Sequence, residues 1–248
     1  MKITFLGTSH GVPDKGRFCQ SILIESGGAA YLVDAGAPVI DLLIRKDFDL
    51  TKLKTVFITH MHGDHIDGLL SLVDLCSWYF KDTDFDIYLT EKEGIQCFEN
   101  MLNMIFKNAF KFPKKRLRFK LMQNDFVYDD GNIKVTPVPT GHLSKQNRPA
   151  FGYIIEGEGK KVYITGDLNG EMIDYSDIVN REKIDAFVIE CAHFTAERLI
   201  EKMKRCVAKR VMIIHGYRPE IANVFAEFKD TKPKFELLYP SDGDEYII

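Results

Sequence analysis

The sequence predicts an α/β domain built on mixed β-sheets, and three observations carry that expectation. Short β-branched and aromatic runs recur along the whole chain of 248 residues, in an early and a late group. Between them lie segments with apolar residues three and four apart, the spacing of amphipathic helices. Gly157-Glu158-Gly159-Lys160 joins two runs as a hairpin turn does, which favours antiparallel pairs within the sheets over a purely parallel layout.

Taken in order, the runs predict strands over residues 3–6, 21–25, 31–34, 55–59, 133–138, 151–156, 162–165, 186–190 and 211–215. The periodic segments predict helices over residues 38–45, 66–80, 91–106, 195–205 and 220–229. No repeat or low-complexity linker divides the chain, so residues 1–248 are expected to form one domain.

Hydrophobic residues make up 45% of the chain and charged residues 28%, enough for a large core and against disorder. A net charge of -3 argues against a chain that coats nucleic acid everywhere. The five cysteines, Cys19, Cys76, Cys97, Cys191 and Cys206, form no C-x-x-C pair, and a reducing, cytoplasmic location fits them. The opening residues lack the apolar run of a signal peptide, and no segment is long and apolar enough to span a bilayer, so no membrane partner is expected.

The sharpest signal is His60-Met61-His62-Gly63-Asp64-His65, between the apolar run 55–59 and an amphipathic segment. A turn with three histidines and a carboxylate has no packing purpose and would repel itself if protonated; as metal ligands the same residues make sense. Alternate residues of an extended segment point the same way, so His60 and His62 can reach one ion. Past Gly63, Asp64 and His65 can turn toward a second. Three further candidates close apolar runs beside a glycine: His142, Asp167 and His215. Singly, each would read as a surface histidine or a turn aspartate.

With Asp34 in Val33-Asp34-Ala35-Gly36, these motifs in this order resemble the metallo-β-lactamase superfamily over almost the whole chain. The resemblance implies a four-layer αββα sandwich, α/β (α+β in some schemes), of two mixed β-sheets flanked by helices. It implies a hydrolase with His60, His62 and His142 on one metal, Asp64, His65 and His215 on another, and Asp167 bridging, so that Asp64 and Asp167 belong to the catalytic centre. Asp34 would orient a ligand imidazole through its far nitrogen or simply close a strand. Imidazole and carboxylate ligands suit two divalent ions, zinc first, with manganese or iron also accepted.

Phe5-Leu6-Gly7-Thr8-Ser9-His10-Gly11-Val12-Pro13 resembles the glycine-rich first loop of the branch containing ribonuclease Z and small phosphodiesterases, a branch that also implies a homodimer. Two divalent ions outweigh the charges of Asp64, Asp167 and a bridging hydroxide, so the centre favours an anionic phosphodiester. Where ribonuclease Z has His-Glu-Ala-Thr, this chain has Glu190-Cys191-Ala192-His193-Phe194, and it lacks the long glycine-rich arm that grips transfer RNA. The expected substrate therefore shifts from precursor tRNA to a small, nucleotide-like or cyclic phosphodiester, or an RNA end. The alternatives are an ester, thioester or lactone hydrolase on the same metals, and a metal-binding sensor without turnover.

His193, at a strand end, is a candidate general acid or else a loop histidine, and Glu190 would orient it or be a buried paired carboxylate. Arg17 and Arg148 are candidates to clamp a substrate phosphate. The basic and aromatic stretch from Lys111 to Lys120 has the composition of a nucleic-acid contact, but a strand edge protected by lysines is the favoured reading.

Overall fold

The computed structural model describes residues 1–12, 14–107, 111–231 and 233–248. Pro13 of the opening motif and residues 108–110, between the predicted helix and the basic stretch, lie outside the described residues.

Two seven-stranded sheets carry the fold. The first contains β1 (Lys2–Gly7), β2 (Ser21–Ser26), β3 (Ala29–Val33), β4 (Leu53–Phe57), β5 (Phe85–Leu89) and β6 (Leu117–Leu121). The second contains β7 (Tyr128–Asp129), β8 (Lys134–Pro139), β9 (Phe151–Gly157), β10 (Lys160–Ile164), β11 (Ala186–Cys191), β12 (Arg210–Gly216) and β13 (Glu236–Leu238), and β14 (Glu245–Ile247) returns to the edge of the first beside β1. Both sheets are mixed. From β1 to β3 the pairing is antiparallel and from β3 to β6 parallel. Likewise β7 to β10 are antiparallel and β10 to β13 parallel.

Strand alternation builds three apolar layers. Tyr31 and Val33 of β3 face Tyr153, Ile164 and Val188 of the other sheet, while Ala30 and Leu32 face outward. The outward residues pack against α1 (Val39–Arg45), α3 (Leu69–Trp78) and α4 (Lys92–Phe106) through Val39, Leu43, Leu72, Val73 and Leu102. On the far side Phe187 and Ile189 pack against α6 (Ala196–Met203) and α7 (Arg218–Thr231) through Leu199, Met203, Ile221 and Val224. Short α2 (Gly63–Ile66) and α5 (Ile178–Arg181) complete the described helices. The layers run helix, sheet, sheet, helix, and burying each large apolar side chain contributes on the order of 1.5–3 kcal/mol. Among the described residues no helix is long and apolar enough to cross a membrane.

The helix expected over residues 66–80 is divided, with α2 starting inside the histidine cluster and α3 beginning after Gly68. Its backbone N–H donates to Ala35 O at 2.9 Å, and a Cβ would lie 2.7 Å from Gly36 O, so the chain presses on the turn after β3 and cannot run straight. The basic stretch holds β6, the outer strand of the first sheet, whose Arg118 and Lys120 pair with Asp84 and Asp86. Those cations serve the strand edge.

Candidate metal centre

Ligand-type side chains collect at one rim of the sandwich, where the parallel strands of both sheets end. Asp34 follows β3, His60 follows β4, Asp167 follows β10, and His215 lies in the last turn of β12. His142 enters from the loop after β8. Phe151 N–H donates to Thr59 O at 2.8 Å and Tyr153 Oη donates to Ile58 O at 2.6 Å, which fastens the histidine turn of one sheet to β9 of the other.

Two groups of donors hold the seven expected ligands, His60, His62, His142 and Asp167 in one and Asp64, His65 and His215 in the other, and Asp167 also groups with Glu190 and His193. Within each, the ligand atoms lie within 4.8 Å of one another. Asp167 faces both. Its Oδ2 lies 3.5 Å from His60 Nε2, 3.7 Å from His142 Nε2 and 3.5 Å from His65 Nε2, and its Oδ1 lies 3.3 Å from His215 Nε2. Asp64 Oδ2 is 3.4 Å from His65 Nε2 and 3.6 Å from His215 Nε2. The seven residues expected to ligate metal from the sequence are therefore brought together.

The buried Asp34 carboxylate organises this set, accepting from Thr59 N–H at 2.8 Å, Gln20 Nε2 at 2.8 Å and His65 Nδ1 at 2.7 Å. Because a carboxylate only accepts, His65 holds a proton on Nδ1 and turns Nε2 toward the other donors. Thr59 Oγ1 gives its single proton to Asp34 at 2.9 Å and so accepts from His60 Nδ1 at 3.1 Å, which leaves the lone pair of His60 on Nε2. His60 Nε2, His65 Nε2 and Asp167 Oδ1 are buried without any hydrogen-bond partner. Orphaned buried acceptors aimed at one space are costly unless something with positive charge fills it, so the residues fit metal ions.

The electrostatics agree. Burial and neighbouring histidines hold His60 well below the usual imidazole range, and burial lowers His62 and His142 too, so these rings stay neutral as ligands must. Burial opposes charge on Asp167, yet His215, His65 and His60 hold its carboxyl well below the usual range. Burial opposes a proton on His65, but Asp167 and Asp34 raise its imidazole above the usual range.

Two backbone positions are special. Asp34 and His215 adopt left-handed φ of 61° and 45°, conformations that non-glycine residues hold only where the surroundings insist. Gly36 sits where a Cβ would be 2.3 Å from Asp64 O, so this glycine lets the turn after β3 lie under the donor turn.

Beside the donors a cleft of about 240 Å³ is lined by His10, Gly11 and Val12 of the opening loop, by His193, and by Tyr217. A larger hollow of about 680 Å³ lies at the opposite ends of β10, β11 and β12, lined by residues such as Lys160, Lys183 and Lys209 and by no histidine; size does not mark the centre. Glu190 accepts from Leu168 N–H at 2.7 Å and Ala192 N–H at 2.8 Å, and holds His193 Nδ1 at 3.0 Å. Burial opposes its charge, but the bond to Glu190 raises the His193 imidazole to about 9.

The two arginines are engaged by other residues. Arg17 bonds Thr8 Oγ1 and Pro240 O and lies over the Tyr239 ring at 4.2 Å, and Arg148 forks onto Glu91 with Nη2 2.8 Å from Oε1. Neither lines the cleft. Arg17 ties the opening loop to the chain end, whereas Arg148, held by Glu91, stands near enough to His62 to help lower its imidazole. Sequence reasoning also passed over Asp174, which accepts from Gly141 N–H at 2.6 Å and Asn169 N–H at 2.9 Å and so joins the loops carrying His142 and Asp167. Nothing in its local sequence marks it, whereas Thr59 and Tyr217 adjoin ligand motifs and could have been suspected.

A family model described as "Anti-Pycsar protein Apyc1" matches residues 1–227. The ribonuclease Z of Acaryochloris marina (strain MBIC 11017) is 33% identical over 158 residues, 63% of this chain and 48% of that protein. The chain thus spans about half the length of the curated relatives it matches. Among solved structures, the metallo-β-lactamase fold protein YhfI from Bacillus subtilis superposes with a TM-score of 0.76 at 19% identity, covering 99% of each chain. Human tRNase Z, short form, gives 0.71 at 20% identity, covering 100% of this chain and 99% of that one. Zinc-bound PqqB from Methylobacterium extorquens gives 0.71 at 14% identity, covering 100% of both. At these identities the likeness establishes the metallo-β-lactamase fold.

Proposed function

The chain belongs to the anti-Pycsar protein Apyc1 family, and from that premise we propose that it is a metal-dependent phosphodiesterase with two divalent ions, zinc by preference. One observation carries the reading: donors of both groups converge on Asp167 while buried imidazole nitrogens there lack partners. His60, His62 and His142 would hold one ion, Asp64, His65 and His215 the other, and Asp167 both. The zinc of the similarly folded PqqB and the neutral imidazoles support that metal. When bound, the ions supply Lewis acidity and make a nucleophile from water near neutral pH.

The chain's own residues do the rest. Asp34 and Thr59 fix the tautomers of His65 and His60, so the donors are pre-oriented. Glu190 holds His193 through Nδ1, which leaves Nε2 as the atom to face substrate. Raised to about 9, the ring is protonated at neutral pH and donates its Nε2 proton to the departing oxygen. The substrate is a small, nucleotide-like or cyclic phosphodiester, or an RNA end as the ribonuclease Z relatives' name suggests. The engagement of Arg118 and Lys120 with acidic partners argues for the smaller ligand.

The test compares bis(p-nitrophenyl) phosphate with a p-nitrophenyl carboxylic ester on zinc-loaded protein. Turnover of the diester with little of the ester supports the reading. Preference for the ester would make it a carboxylic ester hydrolase on the same donors, and turnover of neither would indicate a sensor.

A further inference from the structure

Tyr217 sits at the mouth of the cleft, 47% exposed, and its hydroxyl makes no hydrogen bond among the described residues. It does not belong to the apolar core, and no ion pair explains its place. What holds it is His10, whose ring lies 4.3 Å from it between centroids at a tilt of 43°. His10 itself is buried, and its Nδ1 accepts from the backbone N–H of Val12 at 3.1 Å. That bond locks the imidazole as the neutral tautomer with Nε2–H. The ring is therefore a fixed backing for one face of Tyr217.

The loop that carries His10 lies directly on the donors, since a Cβ on Gly11 would be 3.4 Å from the Asp64 carboxyl. At the other end Tyr217 follows His215 by two residues, with Gly216 pressed so close to Cys191 O that a Cβ would be 2.7 Å away. The two halves of the aromatic pair are also joined by backbone, since His215 N–H donates to Thr8 O at 2.9 Å. Val12, 60% exposed, adds apolar surface on the same rim. The cleft, about 240 Å³, is smaller than the roughly 300–1,000 Å³ that encloses a whole ligand. A phosphodiester seated on the donors must leave its larger substituent outside, against this rim.

We propose that Tyr217, backed by His10, is a stacking platform for the nucleobase of a nucleoside phosphodiester whose phosphate lies at the metal donors. The proposal rests on the phosphodiesterase reading and narrows it to nucleoside substrates. A flat ring on a half-exposed residue, supported by a second ring, offers a base the contact that single-stranded nucleic-acid proteins use, and needs no reading of base edges.

Calorimetric titration of the zinc-loaded protein with adenosine 5′-monophosphate and with ribose 5-phosphate isolates the base. The wild type is expected to bind the nucleotide roughly 10- to 100-fold tighter, the increment of one stacked base. Tyr217→Ala should bring the two ligands to equal affinity, Tyr217→Phe should keep the increment, and ribose 5-phosphate should bind all three proteins alike, which also reports that each is folded. An increment that survives Tyr217→Ala overturns the platform. So does a wild type that binds both ligands equally, although the phosphate site then stands. If neither ligand binds the loaded wild type, the platform falls together with the phosphodiesterase reading.

Discussion

His65 Nδ1 lies 2.7 Å from Asp34 Oδ2, and both side chains are wholly buried. Through this contact one carboxylate reaches the second donor group directly, and through Thr59 it reaches His60 of the first. Asp34→Ala would strand the Thr59, Gln20 and His65 donors in the interior. Thr59→Val removes the hydroxyl bonds to Asp34 and His60 but leaves the backbone N–H bond to Asp34. Titration with a competing chelator should show zinc affinity reduced about 10- to 100-fold in Asp34→Ala, and weaker binding at the His60 group in Thr59→Val. Unchanged affinity in both would make Asp34 a turn residue and nothing more.

The metal-free chain should show a stability maximum near pH 6.5, the ordinary imidazole value. Below it, the unfolded chain protonates His60, His62 and His142 while burial keeps them neutral in the fold, so stability falls with falling pH. Above it, His65 and His193 remain protonated in the fold after the unfolded chain has lost those protons. Their contribution is complete below pH 6.5 and is lost as pH rises through the folded values, about 9 for His193. Melting temperatures across pH 5–9 check this, and zinc should remove the alkaline decline due to His65 because the ion replaces its proton. A metal-free melting temperature that climbs steadily to pH 9 would contradict it.

If His193 protonates the departing oxygen, the need for it depends on the basicity of that oxygen. His193→Ala should slow an alkyl or nucleoside phosphodiester by roughly 10²–10⁴-fold and barely affect a p-nitrophenyl diester, whose leaving group departs as a stable anion. Metal content should not change. Equal losses on both substrates would assign His193 to positioning instead.

The histidine turn was legible because four potential ligands in six residues have no packing explanation, and the partner residues stood at strand ends beside glycines. The mixed sheets were legible from the hairpin at Gly157–Lys160 and from the β-branched and aromatic runs recurring along the chain. The strand edge at β6 was read from its lysines; what escaped were β5, where Asp84 and Asp86 interrupt the apolar residues, and β7, β13 and β14, which are two or three residues each and too short for a periodic signal. Asp174 and the His10–Tyr217 pair escaped for another reason. Their roles arise from loops distant in sequence meeting at one rim, which no local pattern encodes.

Asp167 as the residue shared by two ions is the claim on which the account turns. Elemental analysis of purified, zinc-replete protein, with Asp167→Ala and His62→Ala beside the wild type, tests it most directly. The account predicts close to two zinc ions per wild-type chain. It also predicts a loss confined to the His60 group in His62→Ala, and weakened retention of both ions with no turnover in Asp167→Ala. A wild type that holds a single tightly bound ion, or an active Asp167→Ala protein that still holds two, would contradict it.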